Sequence, residues 1–107
     1  MNRTLIVARM DPTDADQVAQ LFRESDNTEL PHLVGVTRRT LFRYQGLYFH
    51  LVEAERPIGG NLANVRENPL YVDLSKRLDE FIKPYDPETW RGPQDAMATG
   101  FYSWQAA

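Results

Sequence analysis

The sequence contains no cysteine among its 107 residues. It therefore has no disulfide framework, no thiolate nucleophile and no cysteine-based zinc site. This composition suits a reducing compartment, and we predict a cytoplasmic protein. The N-terminal segment runs into charge after a short apolar span, too short for a signal peptide or a membrane helix, so we expect no membrane association.

A charge excess of one sign and a phosphate-binding loop are also lacking. Twelve basic and 15 acidic residues give a net charge of −3 and are mixed along the chain. Nucleic-acid binding needs a one-sided basic surface, so we expect no nucleic-acid partner. Gly59-Gly60 lacks the lysine and the spacing of a phosphate loop. Neither His32 nor His50 has a closely spaced second ligand, so we predict no metal site.

Apolar periodicity predicts seven elements in a single domain that spans residues 1–107. The order is β-α-β-β-α-α-β, which is close to a ferredoxin-like α+β fold, an antiparallel sheet with helices on one face. The first half of the chain is expected to form a strand over Thr4–Met10, a helix capped by Thr13 and ending near Ser25, and two strands over about Val34–Tyr44 and Leu47–Ala54, joined by a turn at Gln45-Gly46. The second half is expected to form a short helix around 58–65, a helix that begins at Asn68-Pro69 and has an apolar stripe to Ile82, and a final strand over about Met97–Gln105.

Two of the predicted strands are apolar on both faces. A single antiparallel sheet with helices on one side should alternate between apolar and polar residues. The residues that break this alternation are Tyr48, Phe49, Leu51 and Val52 in one strand, and Phe101, Tyr102 and Trp104 in the last. We interpret them as two sheets that pack face to face in a homodimer. A long loop or an overhanging helix that covers the second face is the alternative.

The predicted hairpin carries charge near its centre. If Gln45-Gly46 is a two-residue turn, Arg39 and His50 become diagonal neighbours on one face, whereas Arg38 points to the other. A three-residue turn would change the pairing and separate them. With the shorter turn, one face carries Arg39, Leu41, Arg43, Tyr48, His50 and Val52.

A carboxylate at the end of the first helix completes a candidate site. The helix dipole disfavours the negative charge of Asp26 at this end, and the helix covers one face of the sheet. If Arg39 lies under that face, Asp26 can reach it, which gathers a carboxylate, a guanidinium and an imidazole. Each residue also has a structural interpretation, namely an ion pair at the sheet rim for Arg39, a hydrogen-bonded core residue for His50 and a turn former for Asp26.

Three segments of the chain resemble the small aromatic polyketide cyclases of the tetracenomycin cyclase type. They are MNRTLIVARMDPTDADQVAQLF, SDNTELPHLVGVTRRTLFRYQGLYFHLVEAE and the closing FYSWQA. The resemblance runs nearly the full length and is densest from Arg3 to Glu55. The succession of D-x-TELP, RR-x-LFR and LY-x-H is specific and is not a general ferredoxin-like pattern.

The resemblance implies both an assembly and a reaction. The expected assembly is a ferredoxin-like monomer that dimerises through its sheets, in the manner of a dimeric α+β barrel. The expected reaction is a cofactor-free intramolecular aldol condensation with loss of water, which closes and aromatises a ring of a poly-β-ketone in type II pathways for antibiotics or spore pigments. Transient contact with type II synthase subunits is a further expectation.

The residues that the family ties to activity match Asp26, Arg39 and His50. Some relatives carry a histidine immediately before the aspartate, where this chain has Ser25. We hypothesise that His50 is the general base or proton shuttle, that Arg39 stabilises the developing oxyanion and that Asp26 orients one of them. From their shared face alone, Arg43 and Tyr48 are further candidates for substrate binding.

Two other functions remain open at this point. Cofactor-free monooxygenases of aromatic polyketide pathways use a similar dimeric sandwich, and they would consume oxygen. A non-catalytic module that binds polyketides within a synthase assembly would bind the ligand without accelerating its cyclisation.

Overall fold

A computed structural model describes all 107 residues as a four-stranded antiparallel sheet with helices packed on one side. The strands are β1 (Asn2–Met10), β2 (Val36–Tyr44), β3 (Leu47–Ala54) and β4 (Ile82–Pro84), in the spatial order β2-β3-β1-β4. The helices are α1 (Ala15–Asp26), α2 (Leu30–Val34), α3 (Gly59–Val65) and α4 (Pro69–Leu78), with short 3-10 helices at Pro12–Asp14 and Pro93–Ala96. The predicted α+β, ferredoxin-like fold of the monomer is confirmed.

The β2–β3 hairpin has the predicted register. Its turn contains two residues, and Gln45 adopts the left-handed conformation with φ 51°. As a result Leu41 lies opposite His50, and Arg39 lies opposite Val52. A bulge shifts the pairing nearer the start of β2, where the Thr37 hydroxyl donates to the backbone carbonyl of Glu53 at 3.0 Å. The bulge precedes Arg39, so the pairing that positions the candidate site is regular.

The helices cover one face of the sheet, which we call the helix face. Along β3 the even-numbered residues are buried and the odd-numbered ones only partly so. Two apolar clusters form the core on this face. One contains Leu30, Val34, Val52, Ala54, Ile58 and Val65, and the other contains Ala8, Met10, Val18, Phe22 and Tyr48. His50, 7% exposed, is the one buried polar residue and lies on β3 between them.

Side-chain caps fix where two of the helices begin. Asp11, rather than the predicted Thr13, caps the segment before α1, because its carboxylate accepts from the Thr13 backbone N–H at 2.9 Å and from the Thr13 hydroxyl at 2.8 Å. Asn68 caps α4 as predicted, accepting from the Leu70 N–H at 2.9 Å. None of the helices is long and apolar enough to cross a membrane.

Two local predictions were wrong at element boundaries. The strand predicted from about Val34 begins at Val36, because Leu30–Val34 forms the unpredicted helix α2, in which Pro31 fits the first turn and which Gly35, at φ 92°, ends. The last helix ends at Leu78 instead of continuing to Ile82. Residues 82–84 form β4 on the edge of β1, where Ile82 pairs with Met10 and packs against the core cluster that contains it.

The predicted final strand over Met97–Gln105 was also wrong. Met97 bridges Ile6, and the Ala98 N–H donates to the Leu5 carbonyl at 2.7 Å, after which residues 99–107 form no strand. We call these residues the C-terminal arm. Its aromatic side chains are almost fully exposed, at 97% for Phe101, 80% for Tyr102 and 75% for Trp104. A strand requires a hydrogen-bonded neighbour, and the chain itself offers none along the arm.

Candidate functional site

Asp26, Arg39 and His50 meet on the helix face, although they come from three elements. Asp26 is the last residue of α1, Arg39 lies on the edge strand β2, and His50 lies on β3. The Arg39 Nη2 donates to Asp26 Oδ1 at 2.8 Å, and its Nε donates to Oδ1 and Oδ2 at 3.2 and 3.1 Å. The Arg39 Nη1 lies 2.8 Å from His50 Nε2. The structure therefore brings the three predicted catalytic residues into direct contact.

The Arg39 guanidinium is held on two edges and one face. Asp26 and His50 occupy the edges, and the Phe22 ring lies under the plane, with its centroid 4.7 Å from the guanidinium carbon. A guanidinium has five N–H groups, of which Nε–H and one on each terminal nitrogen are used here. One N–H on each terminal nitrogen is left for a ligand. Arg39 is thus a fixed cation with unused donors.

The contact with Arg39 determines the protonation state of His50. Arginine can only donate, so Nε2 must accept and the proton of the neutral ring resides on Nδ1. Burial, and secondarily the charge of Arg39, lowers the pKa of His50 from 6.5 to about 3. In this arrangement Arg39 already engages the one free lone pair of the neutral imidazole, the lone pair that would take a substrate proton. The role of His50 as general base stays a prediction.

The Asp26 carboxylate retains capacity to accept a proton or a hydrogen bond. It lies at the C-terminus of α1, where the helix dipole is unfavourable to it, and the two-point contact with Arg39 offsets this. Its Oδ1 receives two of the three hydrogen bonds from Arg39, and its Oδ2 receives one. Oδ2 is therefore the less saturated oxygen of the site.

A cleft of about 430 Å³ opens beside this cluster, between α1 and the edge strand β2. Such a volume lies within the range of small-molecule sites. The residues that line it are Ala19, Phe22, Arg23, Asp26, Asn27, Arg39 and Leu41. Sequence reasoning missed the α1 wall, although its members follow helical i, i+3, i+4, i+7 spacing from Ala19 to Asp26. Leu41 was detectable as the next residue on the face that carries Arg39.

The predicted substrate-binding residues lie outside the cleft lining. Arg43 is exposed near the turn, opposite Tyr48. Tyr48 is 3% exposed and packs in the core cluster with Val18 and Phe22. Ser25, which replaces the histidine of some relatives, lines a separate cavity of about 110 Å³ between α1 and α4, together with α4 residues such as Leu74.

No group of three or more histidine, aspartate or glutamate side chains is arranged to hold a metal ion. The donor set at the site consists of one carboxylate and one imidazole, and the guanidinium engages both. Its polar chemistry is therefore that of an anion-stabilising cation beside a proton acceptor, placed at an aromatic wall.

The sequence matches the family model described as polyketide synthesis cyclase over residues 2–105. The chain belongs to this family. It is 45% identical over 104 residues to tetracenomycin F2 cyclase of Streptomyces glaucescens, covering 97% of this chain and 94% of that protein. It is also 46% identical over 105 residues to polyketide synthase CurG of Streptomyces cyaneus, covering 98% of each. The family resemblance predicted from the sequence is confirmed.

Solved structures agree with this assignment. The structure of tetracenomycin F2 cyclase, a type II polyketide cyclase, superposes with a TM-score of 0.93 at 44% identity and covers 100% of both chains. A putative antibiotic biosynthesis monooxygenase from Nitrosomonas europaea superposes with a TM-score of 0.55 at 10% identity, covering 75% of this chain and 77% of that one. The second likeness shows the fold alone.

Proposed function

We propose that this member of the cyclase family closes and aromatises a ring of a poly-β-ketone in type II polyketide biosynthesis, by intramolecular aldol condensation and loss of water. The observation that supports this most directly is an arginine with two unused N–H donors beside an open carboxylate, at an aromatic-walled cleft. Carbon–carbon bond formation of this kind needs a proton acceptor and an anion stabiliser, and the carbon chain itself supplies both reacting partners.

The site suggests a sequence of proton movements that differs from the one hypothesised from the sequence. Asp26 Oδ2 takes a proton from a methylene between two ketones, and the C–H electron pair becomes the enolate, whose oxygen the free N–H groups of Arg39 stabilise. The enolate carbon bonds to a second carbonyl carbon, and the electron pair of that C=O bond forms an alkoxide. The alkoxide takes the proton from Asp26. His50 positions Arg39 and exchanges no proton.

Dehydration then completes the ring. Asp26 removes a second proton from the same carbon, the new hydroxyl leaves with a proton returned to it as water, and enolisation of the remaining ketones gives the aromatic ring. The cleft contributes by folding the chain so that one carbon meets one carbonyl. Such placement supplies up to roughly 7–11 kcal/mol in favourable intramolecular systems.

Product analysis tests this function. The purified protein is incubated with linear and partly cyclised poly-β-ketone intermediates, and the products are identified by mass and ring pattern while dissolved oxygen is recorded. We expect faster formation of one ring isomer, lighter than its precursor by one water, at the same rate with and without oxygen. Oxygen uptake with an oxygenated product would indicate a monooxygenase, and binding without acceleration a non-catalytic module.

We further propose that the protein works as a homodimer formed through the uncovered face of its sheet, which we call the open face. Its apolar residues include Leu5, Val7, Phe42, Tyr44, Phe49 and Leu51. The C-terminal arm is a second apolar surface that is left uncovered, and its aromatic side chains are largely exposed. A second copy would cover both surfaces at once.

Sedimentation velocity tests the dimer. We expect the full chain to sediment as a dimer, and a Phe101→Ser/Trp104→Ser variant to dissociate more readily, because it loses two aromatic contacts. A monomeric wild-type protein at micromolar concentration would contradict the proposal.

We also propose that the dimer acts in the cytoplasm and contacts synthase subunits transiently. Reversible cross-linking to those subunits would detect this contact.

A further inference from the structure

Two polar groups on the helix face of β3 have no hydrogen-bond partner within the chain. One is the hydroxyl of Tyr48, and the other is the Nδ1–H of His50, whose single hydrogen bond is made at Nε2. Both residues are more than nine-tenths buried. Leaving a buried donor unsatisfied costs free energy, so a pair of such donors side by side calls for an explanation.

Neither donor is sealed off completely. Every fully buried side-chain nitrogen or oxygen in the molecule has a partner, so these two atoms must each retain a small accessible surface. The rings of Tyr48 and His50 lie 6.2 Å apart, edge to face, on the same side of one strand. The two rings are therefore neighbours, and each donor keeps a small surface that a ligand atom can touch.

This pair lies directly behind the wall of the cleft. The Phe22 ring, which lines the cleft, contacts the His50 ring at a centroid distance of 5.0 Å. Leu41, also in the lining, is opposite His50 in the sheet and packs against the cluster that contains Tyr48. Leu41 is half-buried and belongs to the edge strand β2.

Both groups present a proton to a ligand, the phenol as an O–H that can also accept and the imidazole as an N–H that can only donate. Burial raises the pKa of Tyr48 well above its ordinary value, so the phenol stays protonated, and the contact with Arg39 fixes the His50 proton on Nδ1. The complement of two neutral donors in an apolar surround is an uncharged acceptor that brings no proton of its own. A ketone oxygen meets this description better than a carboxylate or an amine.

We propose that Tyr48 and His50 form a carbonyl-binding subsite behind the cleft, which takes the ketone oxygen that is attacked during ring closure. The proposal rests on the proposed function. Arg39 then stabilises the enolate, Tyr48 and His50 hold the carbonyl that is attacked, and Asp26 moves the proton from the methylene to the alkoxide. The Tyr48 hydroxyl polarises the C=O bond by donating a hydrogen bond and keeps its proton throughout.

Carbonyl NMR with a simple ketone tests the subsite without any ring closure. The probe is acetophenone labelled with ¹³C at the carbonyl carbon, titrated to saturation with the wild-type protein. Hydrogen bonding to the oxygen deshields this carbon, so we expect a downfield shift on binding that is largely lost in Tyr48→Phe. No downfield shift in the wild type, or an equal shift in Tyr48→Phe, overturns the proposal.

Stability separates this role from a structural one. Tyr48→Phe removes only an unpartnered hydroxyl, so the variant should melt at the wild-type temperature or above it. Its kcat/KM for cyclisation should nevertheless fall by at least about tenfold, because a donor to the developing oxyanion is lost. Tyr71→Phe, on α4 beside the other core cluster, is the matched control and should change neither value.

The His50 half of the subsite has its own variant. In His50→Gln the amide oxygen can accept from Arg39 in place of Nε2, but no donor remains at the position of Nδ1. We expect this variant to bind acetophenone with a reduced carbonyl shift. A shift as large as in the wild type would remove His50 from the subsite.

The two levels of proposal fail in different ways. If the wild type forms no ring product from any poly-β-ketone, the proposed function fails, whatever acetophenone shows. If the wild type cyclises its substrate and Tyr48→Phe does so equally fast, the subsite fails and the cyclase function stands.

Discussion

The two faces of β3 carry similar apolar residues and have opposite surroundings. On the helix face Tyr48, Val52 and Ala54 lie buried under the chain's own helices. On the open face Phe49 and Leu51 are only partly buried, and no helix covers them. A strand that is apolar on both faces therefore divides its burial between the intrachain core and a surface that requires another molecule.

The same contrast applies to charge. Arg38 and Arg39 are adjacent in sequence, but Arg38 is exposed on the open face and Arg39 is partly buried on the helix face. The helix α1 brings Asp26 to Arg39 there, and the ion pair compensates the partly buried charge. Helix cover provides both low solvent access and a fixed counter-ion, and a reactive site needs both. Four experiments can break or sharpen this comparison of the faces.

The largest effect should come from exchanging one arginine of the pair for glutamine. We expect Arg39→Gln to lower kcat/KM for cyclisation by about 10²–10³, as removal of an oxyanion donor typically does. Arg38→Gln is the control of equal chemistry on the other face, and it should stay within about twofold of the wild type. Steady-state kinetics on the natural intermediate measures both. Similar losses of kcat/KM in the two variants would show that activity does not depend on which face of the sheet carries the arginine.

A charge placed on the open face should act on association and leave the fold intact. Phe42 is 52% exposed in the monomer, so Phe42→Asp should change monomer stability by less than about 0.5 kcal/mol. In the proposed dimer the carboxylate would be buried without a partner, which should raise the dissociation constant at least about 100-fold. Sedimentation velocity gives the constant. Leu33→Asp, on α2, is the control, and dissociation as strong in that variant would argue against the open face.

The protonation of His50 should make the stability of the folded chain depend on pH. Its folded pKa of about 3 lies below the unfolded value of 6.5, so between these values only the unfolded chain binds the proton. The free energy of unfolding is therefore at its full value above pH 6.5, and it decreases as the pH falls toward 3. At pH 5 the loss should be roughly 2 kcal/mol. Chemical denaturation should show this loss relative to His50→Gln, and parallel pH profiles would mean that His50 titrates normally.

The smallest effect should come from an arginine that lies on the helix face but outside the cleft lining. Arg43 lies on the helix face but is exposed near the turn, and its predicted role in substrate binding remains a proposal. We expect Arg43→Gln to raise KM by about threefold with kcat unchanged, as loss of uniform binding does. Arg66→Gln, at the end of α3, should change neither constant. A fall in kcat for Arg43→Gln would bring the side chain into the reaction itself.

The sequence was informative where the deciding interactions are local. The Gln45-Gly46 turn sets the pairing of a hairpin within a few residues, so the neighbourhood of Arg39 and His50 followed from turn length and side-chain alternation. The Asn68 cap and the start of α4 followed for the same reason. The helix Leu30–Val34 was not predicted, because a helix of five residues is too short to show a period.

The prediction of the last strand failed for a reason that concerns the whole molecule. Residues 97–105 have the composition of a strand, but composition does not supply a neighbouring strand to pair with. In the single chain, β1 accepts only Met97 and Ala98 beyond β4. The apolar residues along the arm are therefore better understood as a property of the assembly that we propose.

The chain by itself determined the ferredoxin-like fold, the family, and the placement of Arg39 and His50 on one face, because hydrogen-bond pairing and side-chain alternation are short-range rules. Only the tertiary structure decided which groups these residues contact. The guanidinium reached the imidazole on one edge and the Asp26 carboxylate on the other, and this fixed the proton of His50 on Nδ1 and left Asp26 as the open acceptor. Protonation depends on distances between groups far apart in sequence and on burial, and both arise only when α1 packs onto the sheet.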